Sequence, residues 1–294
     1  MALKKWPVPP VWSDWIEEWL TALRAAGQLP STISSRRQIL AQLSREVAGV
    51  PGDVTRAQLL EWMGLEIWDE ELGRLRARWS PERRRAVRAT LVGFYRWAHG
   101  SGRLDVDPAL TLPKVRPTDG VPRPAPLKVY FDALDRAGER EKLMLMLACE
   151  LGMRRAEVAQ VHTRDVVEGL GGALLIVHGK GGRQDSVPLE RDMADLLRDR
   201  DAGYLFPGKC DGHLSPRWVG ELISELLAGT TTMHQLRHTF ATVMLRRGAN
   251  IVHVQRQMRH RSLATTQRYL HVDDDELRRA VAAVRQHLHD PDRP

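Results

Sequence analysis

Cysteine is nearly absent from this 294-residue chain: Cys149 and Cys210 are the two present, and they have no metal-like spacing. That usage suits a reducing cytosol, with Cys149 read as core in an apolar helix. Long apolar runs are missing as well. The longest, Leu143 to Cys149, is far too short to span a bilayer, so no membrane association is expected. The N-terminal Met1-Ala2-Leu3-Lys4-Lys5-Trp6-Pro7 has no apolar signal core, which argues against export and for a cytoplasmic protein. No P-loop pattern occurs, so nucleotide hydrolysis is not implied. His234, His238 and His260 match no zinc signature, and no cysteine or acid completes one, so neither a metal nor another cofactor is expected. Internal repeats and low-complexity tracts are lacking too.

What is present describes a soluble globular protein. Hydrophobic residues make up 43% and charged residues 28%, enough for one large domain or two ordinary ones. A net charge of +7 suggests a polyanionic partner, most plausibly nucleic acid, although charge alone is weak grounds.

The first hundred residues read as helix throughout. Trp12, Trp15, Ile16, Trp19, Leu20 and Leu23 recur at helical spacing before Gly27. Ser31 is placed to cap a second helix carrying Ile33, Leu40, Leu43 and Val47. Thr55-x-x-Gln58 is a capping-box pattern ahead of Leu59, Leu60 and Met63. Ser80-Pro81 opens a fourth helix through Val87, Leu91, Phe94 and Tyr95. Helices of this kind make a compact bundle over residues 1–100. Between Arg74 and Arg88 seven arginines meet one acid, Glu82. The run reads either as a solvated helix face or, beside phosphate chemistry, as DNA-backbone contact through Arg83, Arg84 and Arg88. Prolines at 108, 113, 117, 122, 124 and 126 mark residues 101–126 as a linker. Residues 127–294 are mixed. Helical patterns cover Leu127–Ala137 and Glu141–Leu151, strand-like Leu174–His178 and Asp185–Leu189 flank a glycine-rich turn, and helices follow. The expected fold class is therefore mostly α: a helical bundle, then an α+β domain with a small antiparallel sheet.

The second half carries the chemistry. Gly152-Met153-Arg154 ends an apolar helical run, with Glu157 following in Arg-x-x-Glu spacing. A DNA phosphodiester repels nucleophiles, and its transition state gathers charge on the non-bridging oxygens. An enzyme without metal must hold fixed cations there. Arg154 and Arg237 are candidates, because guanidinium stays charged and contacts phosphate bidentately; each could equally be a surface arginine. His234 and Arg237, three apart, share a helix face, with Leu236, Phe240, Val243 and Met244 as the opposing core stripe. Thr232 with Gln235 is another capping-box pattern. It puts His234 in a first turn, where free amides attract phosphate and an imidazole could donate or move a proton. A plain polar helix end is the other reading.

Further on, Lys180 sits in Gly179-Lys180-Gly181-Gly182, His234 and Arg237 in His234-Gln235-Leu236-Arg237-His238, and His260 nine residues before Tyr269. In this order and context the set resembles the tyrosine recombinases, the phage integrase family, over nearly the whole chain. Met258-Arg259-His260-Arg261-Ser262-Leu263 through Arg268-Tyr269 looks like that family's nucleophile box. Met153 for the commoner leucine is a conservative departure. Arg259 is a sharper one, standing where the family usually has glycine: either the turn is built differently or the extra cation touches DNA.

The resemblance implies a site-specific recombinase with a core-binding domain, a linker and a catalytic domain that clamp a duplex. Tyr269 would attack the scissile phosphate and form a 3′-phosphotyrosyl link, and Lys180 would protonate the departing 5′-oxygen. Arg154 and Arg237 would hold the phosphate, His234 and His260 would assist proton movement, and Glu157 would orient Arg154 from behind. It also implies double-stranded DNA at attachment or core sites as partner, and a homotetramer on DNA. The helix patterned over Asp273–Leu288 would dock on its own core or on a neighbouring protomer. A phage integrase acting in a bacterial host is the first expectation, with an Xer-like chromosome-dimer resolvase and a transposon recombinase behind it. The early start of the bundle suggests short, simple sites without an arm-binding domain. From other classes, a type IB topoisomerase and a catalytically silent DNA-binding regulator, using Asn250–Met258 as recognition helix, stay open.

Overall fold

Proline and glycine punctuate the first helix. α1 (Pro10–Ala25) begins on Pro10, where a missing N–H is no loss, and Gly27 beyond its end holds φ +68°. A computed structural model describes residues 7–47, 49–116, 122–179, 181–227, 229, 231–260 and 263–267. The chain divides into two compact units, Met1–Thr118 and Asp119–Pro294.

In the first unit Pro30, not Ser31, sets the start of α2 (Pro30–Glu46). Leu29 occupies the cap position without a side-chain bond, and Ser31 lies inside the first turn. The expected serine cap gives way because proline's fixed φ is already that of a first helical residue. The other two starts follow their sequence signals. For α3 (Arg56–Gly64), Thr55 Oγ1 accepts from Gln58 N at 3.3 Å and Gln58 Oε1 accepts from Thr55 N at 2.8 Å. For α4 (Pro81–Gly100), Ser80 Oγ accepts from Arg83 N at 3.2 Å.

The all-helical expectation fails between α3 and α4. There β1 (Glu66–Asp69) and β2 (Arg74–Ala77) pair antiparallel, with Trp68 opposite Leu75. Asp69 closes the turn by accepting from Leu72 N at 3.1 Å and pairing with Arg76. Trp68 and Leu75 are 62% and 59% exposed, so the hairpin has no buried face whose alternation a sequence reading could detect. Arg74 and Arg76 thus lie on a strand, while Arg83, Arg84, Arg85 and Arg88 lie on α4.

The unit's core centres on Phe94. Trp12 stacks on it at 6.3 Å between centroids, and Trp19 meets it edge-on at 5.5 Å. Ala109 and Leu112, from the proline-rich stretch, are buried in the same core.

The second unit packs helices around a small sheet. Its helices are α5 (Leu127–Arg136), α6 (Glu139–Cys149), α7 (Arg155–Ala159), α8 (Arg191–Arg198), α9 (Pro216–Leu226), α10 (Met233–Arg246), α11 (Ile251–Gln257) and α12 (Leu263–Gln267). The strands β3 (Val166–Gly169), β4 (Gly172–His178) and β5 (Gln184–Pro188) form an antiparallel sheet with β4 in the middle. β4 and β5 make the expected hairpin, in register from Leu174↔Pro188 to His178↔Gln184. β3, half-buried and four residues long, gave no comparable signal. α6 is buried on most sides, through Met144, Leu145, Leu147 and Ala148, and packs against α10. Ala125 is tied to α10 by accepting from Thr239 Oγ1 at 2.8 Å. Among the described residues, no helix is long and apolar enough to cross a membrane.

Because Phe94 is fully buried among aromatic rings, Phe94→Ala should cost roughly 3–5 kcal/mol. Trp68→Ser on the exposed hairpin should change stability by no more than about 0.5 kcal/mol. Urea midpoints at unchanged slope check both values.

Candidate active site

The site is built on a turn that only glycine can make. After α6 the chain reverses at Gly152, whose φ is +61°. A Cβ there would lie 2.5 Å from Phe240 Cδ1 on α10 and 3.1 Å from Met258 Sδ. The turn delivers Arg154 to the cap position of α7, and Glu157 closes it from the helix's first turn. Glu157 Oε2 accepts from Arg154 N at 2.8 Å, and Oε1 accepts from Arg154 Nη1 at 2.5 Å. Arg154 Nη2 reaches across to the carbonyls of Met258 (3.3 Å) and Arg259 (3.1 Å). Its side chain remains 42% exposed.

Arg237, by contrast, is 1% exposed. Its Nη1 donates to Gly152 O and its Nη2 to Met258 O, and Nη1 lies 3.8 Å from Glu157 Oε2. This corrects the expected stripe. The buried line of α10 runs Met233, Arg237, Ala241, Leu245, each four residues on, with Leu236 beside it, while Val243 is 37% exposed. Arg237 therefore belongs to the core line rather than to the face opposite it. A buried guanidinium is tolerated there because main-chain carbonyls satisfy its N–H groups.

A second turn, after α11, faces the first. Arg259 has φ +51°, a left-handed conformation that favours glycine. That choice costs a non-glycine residue about 1–2 kcal/mol. The side chain turns inward, 6% exposed, and Nη2 donates to Glu157 Oε2 at 2.6 Å and to Gly152 O at 3.2 Å. The turn at Arg259 thus has a backbone that suits glycine, and its cation is directed into the protein interior. His260 follows, its Nδ1 2.9 Å from the buried Thr266 Oγ1.

His234 stands in the first turn of α10, where Thr232 N donates to Gln235 Oε1 at 2.7 Å. Its ring meets that of His238 edge-on at 4.3 Å. His238 and Thr266 are neighbours of the cluster that sequence reasoning did not select: His238 entered only the histidine set weighed as a metal site, and Thr266 carried no signal of its own.

Burial and cations keep these rings neutral. His260 is pushed down to about 3 by burial and then by Arg237 and Arg154, and His238 to about 4 by burial, His234 and Arg237. His234 shifts the same way through burial and the arginines around it. Glu157 moves against its burial, which favours the neutral acid. Attraction to Arg259, with hydrogen bonds from Arg259 and Arg154, outweighs that and holds its carboxyl below the ordinary range. An open cavity of about 930 Å³ lies before the cluster, lined by Arg154, Arg155, Arg217, His234 and Arg237 among others. Neutral imidazoles and anchored guanidiniums at such a cleft can receive an anion and move a proton.

Arg154, Glu157, Arg237, His234 and His260 thus gather in the second unit. Lys180 and Tyr269 lie outside the described residues, as does the patterned helix Asp273–Leu288. In the first unit, Arg83 and Arg84 lie half-buried on α4. Arg88 uses Nε and Nη2 to bind Leu112 O, at 3.1 and 2.8 Å.

Residues 127–276 match the model of the Phage integrase family. Tyrosine recombinase XerC of Bradyrhizobium diazoefficiens is 29% identical, over 90% of this chain and 91% of its own length. XerC of Pelobacter propionicus is 30% identical, over 84% of this chain and 87% of its own. The fold is similar to that of XerH site-specific recombinase bound to palindromic difH substrate, with a TM-score of 0.65 at 18% identity, covering 91% of this chain and 83% of that one. It is also similar to a lambda integrase tetramer bound to a Holliday junction, with a TM-score of 0.61 at 16% identity, covering 85% and 77%.

Gly152→Ala should cost at least about 2 kcal/mol, since left-handed strain adds to a clash with the Phe240 ring; a thermal melt measures it. The depressed histidines predict a second effect. Below pH 6.5 the unfolded chain takes up protons that the folded His238 and His260 refuse until about 4 and about 3. Stability should therefore fall as pH drops from 7 towards 4. Glu157 acts in the same direction lower down, stabilising above the ordinary carboxylate range and ceasing to as pH falls through its own lower pKa. Melting temperature followed against pH should decline less steeply in His238→Gln.

Proposed function

Since the chain belongs to the phage integrase family, the tyrosine recombinases that cut and rejoin DNA, we propose that its cluster of guanidiniums and imidazoles forms the phosphodiester-transfer site for Tyr269. The observation that carries the reading is the convergence of Arg154, Arg237 and His234 at one cavity, with both guanidiniums tied to the Met258 carbonyl two residues before His260.

Tyr269 Oη attacks the scissile phosphorus, the P–O5′ bond breaks, and a 3′-phosphotyrosyl bond replaces it, so no external energy source is consumed. The exposed edge of Arg154 and the terminal N–H groups of Arg237 supply positive charge where the non-bridging oxygens gain it. His260, neutral at physiological pH, is in the correct state to accept the phenolic proton. Lys180, which follows β4 and precedes β5 in sequence, delivers a proton to the departing 5′-oxygen. Attack by the 5′-hydroxyl of a second duplex on the phosphotyrosine then rejoins the strands. Two such rounds pass through a Holliday junction.

Duplex DNA at a core site is the proposed partner, bound by four copies of the chain, with the segment after Tyr269 exchanged between protomers. The lambda tetramer on a junction supports that assembly by likeness of fold. Arg83, Arg84 and Arg88 are proposed to contact the DNA backbone, Arg88 while donating Nε and Nη2 to Leu112 O. The proposed setting is the bacterial cytoplasm, on the nucleoid. Integration of a phage genome is one reading of the biological task. Chromosome-dimer resolution is the other, favoured by similarity to XerC over nine-tenths of both chains.

A nicked suicide substrate carrying a candidate site should yield a slower-migrating covalent complex, absent with Tyr269→Phe. Arg154→Ala should slow its formation by about 10²–10³-fold. Relaxation of supercoiled plasmid without any specific site would point instead to a topoisomerase, and binding without cleavage to a regulator.

A further inference from the structure

Arg259 bears a conformation that suits glycine, yet its side chain is buried and engaged. Its guanidinium holds one oxygen of Glu157 at 2.6 Å and shares Gly152 O with Arg237. Glu157 is thereby divided. One oxygen serves Arg259 and the amide of Arg154, and the other serves the Arg154 guanidinium. Arg237 is fixed by two carbonyls and is buried, so it has little freedom to move. Arg154 is the partly exposed member of the set, and the one that an undivided carboxylate could draw inward.

We propose that Arg259 is a positioning residue. By occupying the inner oxygen of Glu157 and bracing Gly152 O, it keeps the Arg154 guanidinium at the mouth of the cavity. The proposal rests on the phosphodiester-transfer reading of that cavity. Its side chain is separable from its backbone role, because Arg259 O, which receives Arg154 Nη2 at 3.1 Å, persists whatever the side chain. Glycine at this position would keep that carbonyl and relieve the left-handed φ. A side chain carried there without function would therefore be replaceable by glycine with no loss of activity.

The test is Arg259→Gly in the full-length protein, with Arg259→Lys and the double variant Arg259→Gly/Glu157→Gln beside it. Three quantities are compared: melting temperature, affinity for a core-site duplex, and single-turnover formation of the covalent complex on a suicide substrate at saturating DNA. The expected result for Arg259→Gly is unchanged affinity with covalent complex forming at least ~10-fold more slowly, as for a small misplacement of a catalytic group. Arg259→Lys should recover part of the rate despite the strained backbone, and in the Glu157→Gln background Arg259→Gly should cost far less. Equal rates for Arg259→Gly and the unmodified protein would overturn the inference while leaving the proposed function standing. Absence of any covalent complex from the unmodified protein would overturn both. Should Arg259→Gly melt early, a rate that tracks melting temperature across all three variants would also overturn it, because positioning predicts that Arg259→Lys is rescued in rate rather than in stability.

Discussion

One buried carboxylate organises the second unit. Glu157 lies 4% exposed with three guanidiniums about it, those of Arg154, Arg237 and Arg259. Burying an ion costs several kcal/mol unless partners and hydrogen bonds compensate, and here the compensation comes from both. The arginines in turn reach main-chain carbonyls: Gly152 O from Arg237 and Arg259, Met258 O from Arg154 and Arg237. Two turns more than a hundred residues apart are thus stitched together by the side chains of the proposed site. Pairing Glu157 with one arginine alone would hold a helix start. Sharing it among three holds a pocket.

The same arrangement sets the protonation state of the neighbouring rings. Fixed cations close by, together with burial, make a second positive charge on His234, His238 or His260 unfavourable. An arriving phosphate would reverse part of that penalty, because its charge favours protonated imidazole. The rings are thus unprotonated in the free protein, and a bound anion raises their affinity for a proton.

Much of this was legible in the sequence, and the failures have physical causes. Capped helices declared themselves, because Thr55, Ser80 and Thr232 meet local donors or acceptors whatever the fold. The β4–β5 hairpin showed through two strand-like runs flanking a glycine-rich turn. The hairpin of Trp68 and Leu75 did not, because neither face is covered. Arg237 was identified as functional but assigned to the wrong side of its helix, since pattern reading assumes that charge faces water. Nothing in the letter at 259 discloses a left-handed backbone, and its inward side chain answers a carboxylate a hundred positions earlier. Lys180 and Tyr269, singled out by their motifs, lie outside the described residues.

The grip of Arg237 on Gly152 O and Met258 O has one more implication. Its ligands are parts of the main chain that converge when both turns have closed, so the pocket cannot assemble ahead of the surrounding unit. A nascent or thermally loosened polypeptide carries every reactive side chain and still lacks the means to concentrate charge on a phosphate. Competence to cut DNA therefore arrives together with the native state, and unfinished copies lack it.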